Sequence, residues 1–224
     1  MIKYILFDLD GTLIDFIKGE KMAFIDTIKK YMNYIPSDLE CKRFSDINEY
    51  YFNEFKEGRM DRKTFHFNRF KEIYEYLKYD GDIINSNDYY INSLKYQAEL
   101  YDDVLDILNY LKDKYRLFIA SNGMTSVQIK RLEIANINNY FEKNYISEDI
   151  GYNKPDLEFF NYIFNDLNDF DKDKYIIIGD RIDSDILGAI NSGIKSIYLN
   201  RENNSYDNIP NYVINSLLEI KNIL

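Results

Sequence analysis

The run Ile2-Lys3-Tyr4-Ile5-Leu6-Phe7-Asp8-Leu9-Asp10-Gly11-Thr12 decides the fold. Its first half is apolar and rich in β-formers, which predicts a buried strand. The strand stops at Asp8-Leu9-Asp10-Gly11-Thr12, a turn signal. The same run meets an acid too early to be a signal peptide.

The pattern changes after about Phe16. Phe24, Ile25, Ile28, Tyr31 and Met32 fall at helical spacing, and similar patterns continue to about Lys95, with breaks near Pro36, Gly58 and Gly81. No strand is predicted across residues 16–94. From Tyr101 strands and helices alternate: a helical stripe at Val104, Ile107, Leu108 and Leu111, then a buried strand over Tyr115–Ala120 that ends at Ser121-Asn122-Gly123. A helix through Val127, Leu132 and Ile134 follows, then a short strand at Asn144–Ser147 and a helix through Leu157, Phe160, Ile163 and Phe164. The apolar run Tyr175–Ile178 stops at Gly179-Asp180, and a helix through Ile186, Leu187 and Ile190 ends at Gly193. A last strand at Ile197–Leu199 and a terminal helix over Val213–Leu224 complete the reading. Strands alternating with helices predict an α/β fold with a doubly wound parallel sheet, Rossmann-like in its core. The expected division is a core of residues 1–15 and 95–224, with a helical insertion over 16–94.

Charge narrows the partners. The net charge of -10 opposes binding of DNA or RNA as a polymer, and small phosphorylated metabolites are compatible if a metal supplies local positive charge. Residues 16–94 carry 13 Lys+Arg and 14 Asp+Glu, leaving 15 and 24 for the rest, so the core holds nearly all the acidic excess. Acids gathered around a cation would explain this, and so would solvated acidic loops. Cys41 is the single cysteine, so no intrachain disulfide can form, and a buried thiol in a reducing compartment is expected. No apolar run approaches the roughly 20 residues that span a bilayer. A cytoplasmic monomer or homodimer with no membrane contact is the expectation.

In open parallel sheets ligands bind beyond the carboxyl ends of the strands. The polar residues stand there: Asp8 and Asp10 after the first strand, Ser121 after the second, Asp180 after the fourth, and Lys154 in the loop before the Leu157 helix. With the first strand central and the second and fourth on either side, they converge on one crevice. An Asp-x-Asp-Gly calcium loop is the competing reading, but its Gly comes too early and no Glu follows at the required place. Taken singly, Ser121-Asn122-Gly123 reads as a turn and Lys154 as a surface lysine. His66 reads as a packing or surface residue between Phe65 and Phe67.

Asp8-Leu9-Asp10-Gly11-Thr12, Ser121-Asn122-Gly123, Lys154-Pro155 and Gly179-Asp180 with Asp185 resemble the four ordered motifs of the haloacid dehalogenase superfamily. That resemblance implies a phosphatase in which Asp8 attacks phosphorus to give an aspartyl-phosphate. It implies Asp10 as the acid that protonates the leaving oxygen and then as the base for water. Ser121, the backbone N–H of Asn122 and Lys154 would bind the transferring phosphate. Mg2+ would be held by the Asp8 carboxylate, the Asp10 carbonyl and the Asp180 carboxylate, with Asp185 in or near the outer ring of ligands. Asp183 is a rival for Asp185, or else a helix N-cap. Thr12 is expected to orient Asp10. The insertion would be a cap that closes over the site, hinged at Leu13–Glu20 with flexibility from Gly19. Asp10 and Thr12 argue against a carbon–halogen-cleaving member; a phosphomutase shares the same core.

Ser121–Gln128 with Arg131-Leu132-Glu133, Ile146–Asp156 and Asp180–Gly193 further resemble the branch of noncanonical pyrimidine 5'-nucleotidases. A nucleoside monophosphate is thus the expected substrate. The alternatives are another small metabolite, such as a sugar phosphate or phosphoglycolate, and a non-catalytic binding protein. Phe16, Phe24, Tyr50, Tyr51 or Phe67 could stack on a base or simply pack helices.

Overall fold

A computed structural model describes residues 1–207 and 209–224. Two compact units emerge: Met1–Asp15 with Ala98–Leu224, and Phe16–Gln97. β1 is Tyr4–Phe7, completely buried. The helical unit follows as α1 (Phe16–Met32), α2 (Asp38–Lys56), α3 (Arg62–Leu77) and α4 (Ile83–Leu94). The chain then returns through α5 (Val104–Leu111), β2 (Arg116–Ser121), α6 (Thr125–Ile134), β3 (Lys143–Ile146), the single turn α7 (Ser147–Ile150) and α8 (Leu157–Leu167). β4 (Tyr175–Gly179), a π-turn at Ile182–Ile186, α9 (Leu187–Ser192), β5 (Lys195–Leu199) and β6 (Tyr212–Ile214) complete the sheet.

The strand order is β3-β2-β1-β4-β5-β6, and every pairing is parallel. The core is therefore a doubly wound, Rossmann-like α/β sheet with β1 between β2 and β4. Period-2 alternation divides β1 between two cores. Ile5 and Phe7 pack with Val104, Ile107, Leu108 and Leu111 of α5. Tyr4 and Leu6 pack with Phe159, Phe160, Ile163 and Phe164 of α8. Each such fully buried side chain stabilises the fold by about 1.5–3 kcal/mol.

Register sets the site. Phe7 lies level with Ile119 of β2 and Ile178 of β4. Asp8 thus emerges one residue later beside Ala120 and Gly179, with Ser121 and Asp180 a further step on, about 3.3 Å per residue.

The expected terminal helix is corrected. Tyr212–Ile214 forms a sixth strand against β5, and only a 3-10 turn, Leu217–Asn222, follows. Ser216 and Glu219 cap that turn reciprocally, and its buried Leu217 and Ile220 close the α5 side of the sheet. Val213, Leu217, Ile220 and Leu224 imitate helical spacing, which hid the strand.

In the helical unit, breaks occur where the sequence predicts them, and side-chain N-caps start the helices that follow. Ser37 and Glu40 form a capping box on α2, while Asp61 and Asp82 cap α3 and α4. One aromatic from each helix builds the centre: Phe24 stacks on Phe44 at 4.2 Å, and Phe70 and Tyr90 meet edgewise at 5.6 Å. Phe24 is therefore a packing residue and is unavailable for base stacking. Gly19, expected to lend flexibility, is buried within α1.

Directly against the aromatic layer lies a polar layer, again one residue per helix, with the Arg69 guanidinium 4.6 Å from the Tyr90 ring centroid. Asn48 donates to Glu20 at 2.6 Å, and Arg69 donates to Asn48 at 2.9 Å and to Asn87 at 2.7 Å. Burial pushes the Glu20 carboxyl up to about 6, against the pull of hydrogen bonds from Ser45 and Asn48 and of the Arg69 charge. The folded unit thus holds this proton more tightly than the unfolded chain. The stability it brings is complete below the unfolded value of 4.5 and is lost as pH rises through about 6. The shift corresponds to about 2 kcal/mol. Glu20→Gln should equal wild type in urea unfolding at acid pH and exceed it by roughly that amount above neutrality. A difference independent of pH would refute the assignment.

Candidate active site

The chain leaves β1 at Asp8 and turns at Gly11, whose φ of +86° lies in the left-handed region. A side chain at Gly11 would also collide with the Asp180 carboxylate. The turn swings Thr12 back, so that its hydroxyl lies 3.0 Å from Asp180 Oδ1 and 3.3 Å from Asp8 Oδ2. Thr12 therefore ties Asp8 to Asp180 and does not touch Asp10, which corrects the expected role. Arg201 backs this turn by donating to the Thr12 carbonyl at 3.3 Å while paired with Asp103 at 2.8 Å.

Lys154 is 1% exposed and spends its ammonium on three acceptors: Asp8 Oδ1 at 2.7 Å, Asp185 Oδ1 at 2.6 Å and the Ala120 carbonyl. The sequence predicted Lys154 in a loop, and Asn122 explains how the loop is fixed. The Asn122 amide donates to the Lys154 carbonyl and accepts from the Lys154 N–H, both at 2.8 Å. Asp185 is completely buried, and its second oxygen accepts from the Arg181 N–H at 3.1 Å. The π-turn carries Asp185 inward, whereas Asp183 is half-exposed and pairs with Arg181 at 3.2 Å. Asp183 neither joins the cluster nor caps a helix, since Arg181 occupies the N-cap position.

Carboxylate oxygens of Asp8, Asp180 and Asp185 all lie within 4.8 Å of one another. Burial pushes the Asp8 carboxyl well above the usual range; Lys154 opposes this, and Asp185 and Asp180 add to it. Burial, then Asp185, pushes Asp180 up to about 7. For Lys154, burial alone would favour the neutral amine, but Asp185 and Asp8 outweigh it and hold the ammonium well above its ordinary value. Asp8 and Asp185 pair with the Lys154 ammonium and Asp180 stands beside them, so the three carboxylates and one ammonium carry two excess negative charges when ionised. Hard oxygen donors with that excess, crowded into one crevice, suit a divalent oxygen-seeking cation.

Ser121 stands at the end of β2, 1% exposed. Its oxygen accepts from the Gly123 N–H at 3.1 Å and from Gln128 Nε2 at 2.8 Å. Gln128 Nε2 also donates to Asp10 Oδ2 at 2.6 Å, and the fully buried Arg131 donates to Asp10 Oδ1. Gln128 and Arg131 join this cluster, and sequence reasoning placed them only within a resembling stretch. Their signal is a pair of long polar side chains at i and i+3 on α6, directly after Ser121-Asn122-Gly123.

Among the described residues no helix is long and apolar enough to cross a membrane. The profile of the haloacid dehalogenase-like hydrolase family matches residues 5–199. YfnB of Bacillus subtilis, described as a HAD-hydrolase, is 30% identical over 98% of this chain and 94% of its own length. A crystal structure of YfnB bound to magnesium superposes with a TM-score of 0.93 at 28% identity, covering 99% of this chain and 98% of that one. The pyrimidine 5'-nucleotidase PynA of Streptococcus pneumoniae is 32% identical over 88% of this chain and 84% of its own. The pyrimidine 5'-nucleotidase YjjG of Escherichia coli is 25% identical over 99% and 97%.

Proposed function

The chain belongs to the haloacid dehalogenase-like hydrolase family, and on that premise we propose that it hydrolyses nucleoside 5'-monophosphates with magnesium, through an aspartyl-phosphate on Asp8. The observation that carries this reading is the convergence of Asp8, Asp180 and Asp185 on one another, with Lys154 joining Asp8 to Asp185. The two pyrimidine 5'-nucleotidase relatives support the substrate class.

Asp8 attacks phosphorus, forming one P–O bond as the ester P–O bond breaks. Asp10 gives its proton to the departing oxygen. The Ser121 hydroxyl donates to a phosphoryl oxygen, and the Lys154 ammonium, held against Asp8, neutralises the negative charge that accumulates there. Asp10 then takes a proton from the water that attacks the aspartyl-phosphate, releasing inorganic phosphate and the Asp8 carboxylate. The Asp8 and Asp180 carboxylates and the Asp10 carbonyl would hold magnesium, with Asp185 beside them, and its charge would offset repulsion between carboxylate and phosphate.

A panel of phosphorylated metabolites tests this. The expected result is magnesium-dependent release of inorganic phosphate, with kcat/KM for nucleoside 5'-monophosphates roughly tenfold or more above sugar phosphates and phosphoglycolate. A sugar phosphate at the top would remove the nucleotidase reading and keep the phosphatase. An isomeric phosphate ester in place of inorganic phosphate would make the protein a mutase.

A further inference from the structure

We infer that Gln128 and Arg131 of α6 are positioning residues: together they hold the Asp10 carboxylate, and Gln128 also fixes the Ser121 hydroxyl as a donor. The inference rests on the proposed acid–base role of Asp10. Arg131 has only donors, so the Gln128 carbonyl oxygen must face it and the Gln128 group facing Asp10 is its amide nitrogen. That nitrogen has two hydrogens, and both are placed: one on Asp10 Oδ2 at 2.6 Å, the other on Ser121 Oγ at 2.8 Å. The Gln128 carbonyl oxygen lies 3.4 Å from Arg131 Nη1.

Ser121 Oγ receives a second hydrogen from the Gly123 N–H at 3.1 Å. A hydroxyl has two lone pairs and one hydrogen. With both lone pairs engaged, its hydrogen is available only for donation. A serine that could otherwise rotate between accepting and donating is thus set to meet an anion. Space for this arrangement comes from Gly123, where a Cβ would run into the Gln128 side chain.

Asp10 is gripped at both oxygens, by Gln128 on Oδ2 and by Arg131 on Oδ1. Asp10 keeps about a quarter of its side chain exposed, while Arg131 has none. The carboxylate therefore reaches the crevice while its orientation is determined from the buried side. A shift of about 1 Å in such a group can cost about 100-fold in rate. One amide also links the proton donor to the phosphate donor, so neither moves independently of the other.

The test is a set of double-mutant cycles on the full chain, read as kcat/KM for an aryl phosphate and an alkyl phosphate. An alkyl leaving group needs protonation and an aryl one needs little, so their ratio reports the acid. Arg131→Met should lower the alkyl substrate by about 100-fold, at least about tenfold more than the aryl one. In an Asp10→Asn background it should add less than about threefold, because the group it positions is gone. Gln128→Leu buries no new charge and serves if Arg131→Met fails to fold. It should lower both substrates, with its effect shrinking in Asp10→Asn and shrinking further when Ser121→Ala is added. Losses that multiply in full in these backgrounds, or that strike the alkyl and aryl substrates equally in Arg131→Met, would overturn the inference. If Asp10→Asn itself leaves the alkyl-to-aryl ratio unmoved, the acid role of Asp10 fails, and the positioning role fails with it.

Discussion

Asp8→Asn is expected to abolish magnesium-dependent hydrolysis of an aryl phosphate, by roughly 10,000-fold or more, while the protein stays folded. The substitution changes almost no volume. An amide oxygen still accepts from Lys154, which sits 2.7 Å from Asp8 Oδ1. What disappears is the anionic oxygen that makes the new bond to phosphorus. Stability should hold or rise slightly, because Asp8 shares the Lys154 ammonium with the buried Asp185 and lies near Asp180, and burial already pushes its proton affinity upward. Steady-state turnover with thermal unfolding of the same sample checks both halves. Turnover within tenfold of wild type would remove Asp8 from the nucleophile's role.

Lys154→Met is expected to cost both turnover and about 3–5 kcal/mol of stability. The methionine fills the stem's volume and strips the charge. Asp185 would then be completely buried without the ammonium that lies 2.6 Å away, and the Ala120 carbonyl would lose a donor. Removing one partner of a buried ionic cluster is worse than removing both, since the survivor keeps its desolvation cost. Adding Asp185→Asn to Lys154→Met should therefore recover at least about 1 kcal/mol in urea unfolding, with no recovery of turnover. A double variant less stable than Lys154→Met would show that Asp185 contributes chiefly through the Arg181 N–H.

Most of the sheet was legible because its signals are local. Tyr4–Phe7, Arg116–Ser121 and Tyr175–Gly179 are apolar runs that end at polar turn residues, and burial on both faces requires such runs. The convergence of Asp8, Ser121 and Asp180 followed once β1 was placed between β2 and β4. β6 was missed because three residues are too few to establish period 2, and the apolar residues around it fall at helical spacing. The roles of Thr12, Gln128 and Arg131 were out of reach for another reason. Thr12 points to Asp180, 168 positions away in sequence, and Arg131 to Asp10, 121 positions away. Such partners are chosen by side-chain direction after a left-handed turn at Gly11, and spacing along the chain carries no record of that choice.

The most direct measurement is to catch the enzyme during turnover, quench it in acid, reduce it with borohydride and map its peptides by mass spectrometry. Reduction converts an aspartyl-phosphate to homoserine. The mechanism predicts that conversion at Asp8 and at no other acid, only when magnesium and substrate are both supplied. Hydrolysis proceeding at full rate with Asp8 unmodified, or with the label on a different carboxylate, would contradict it.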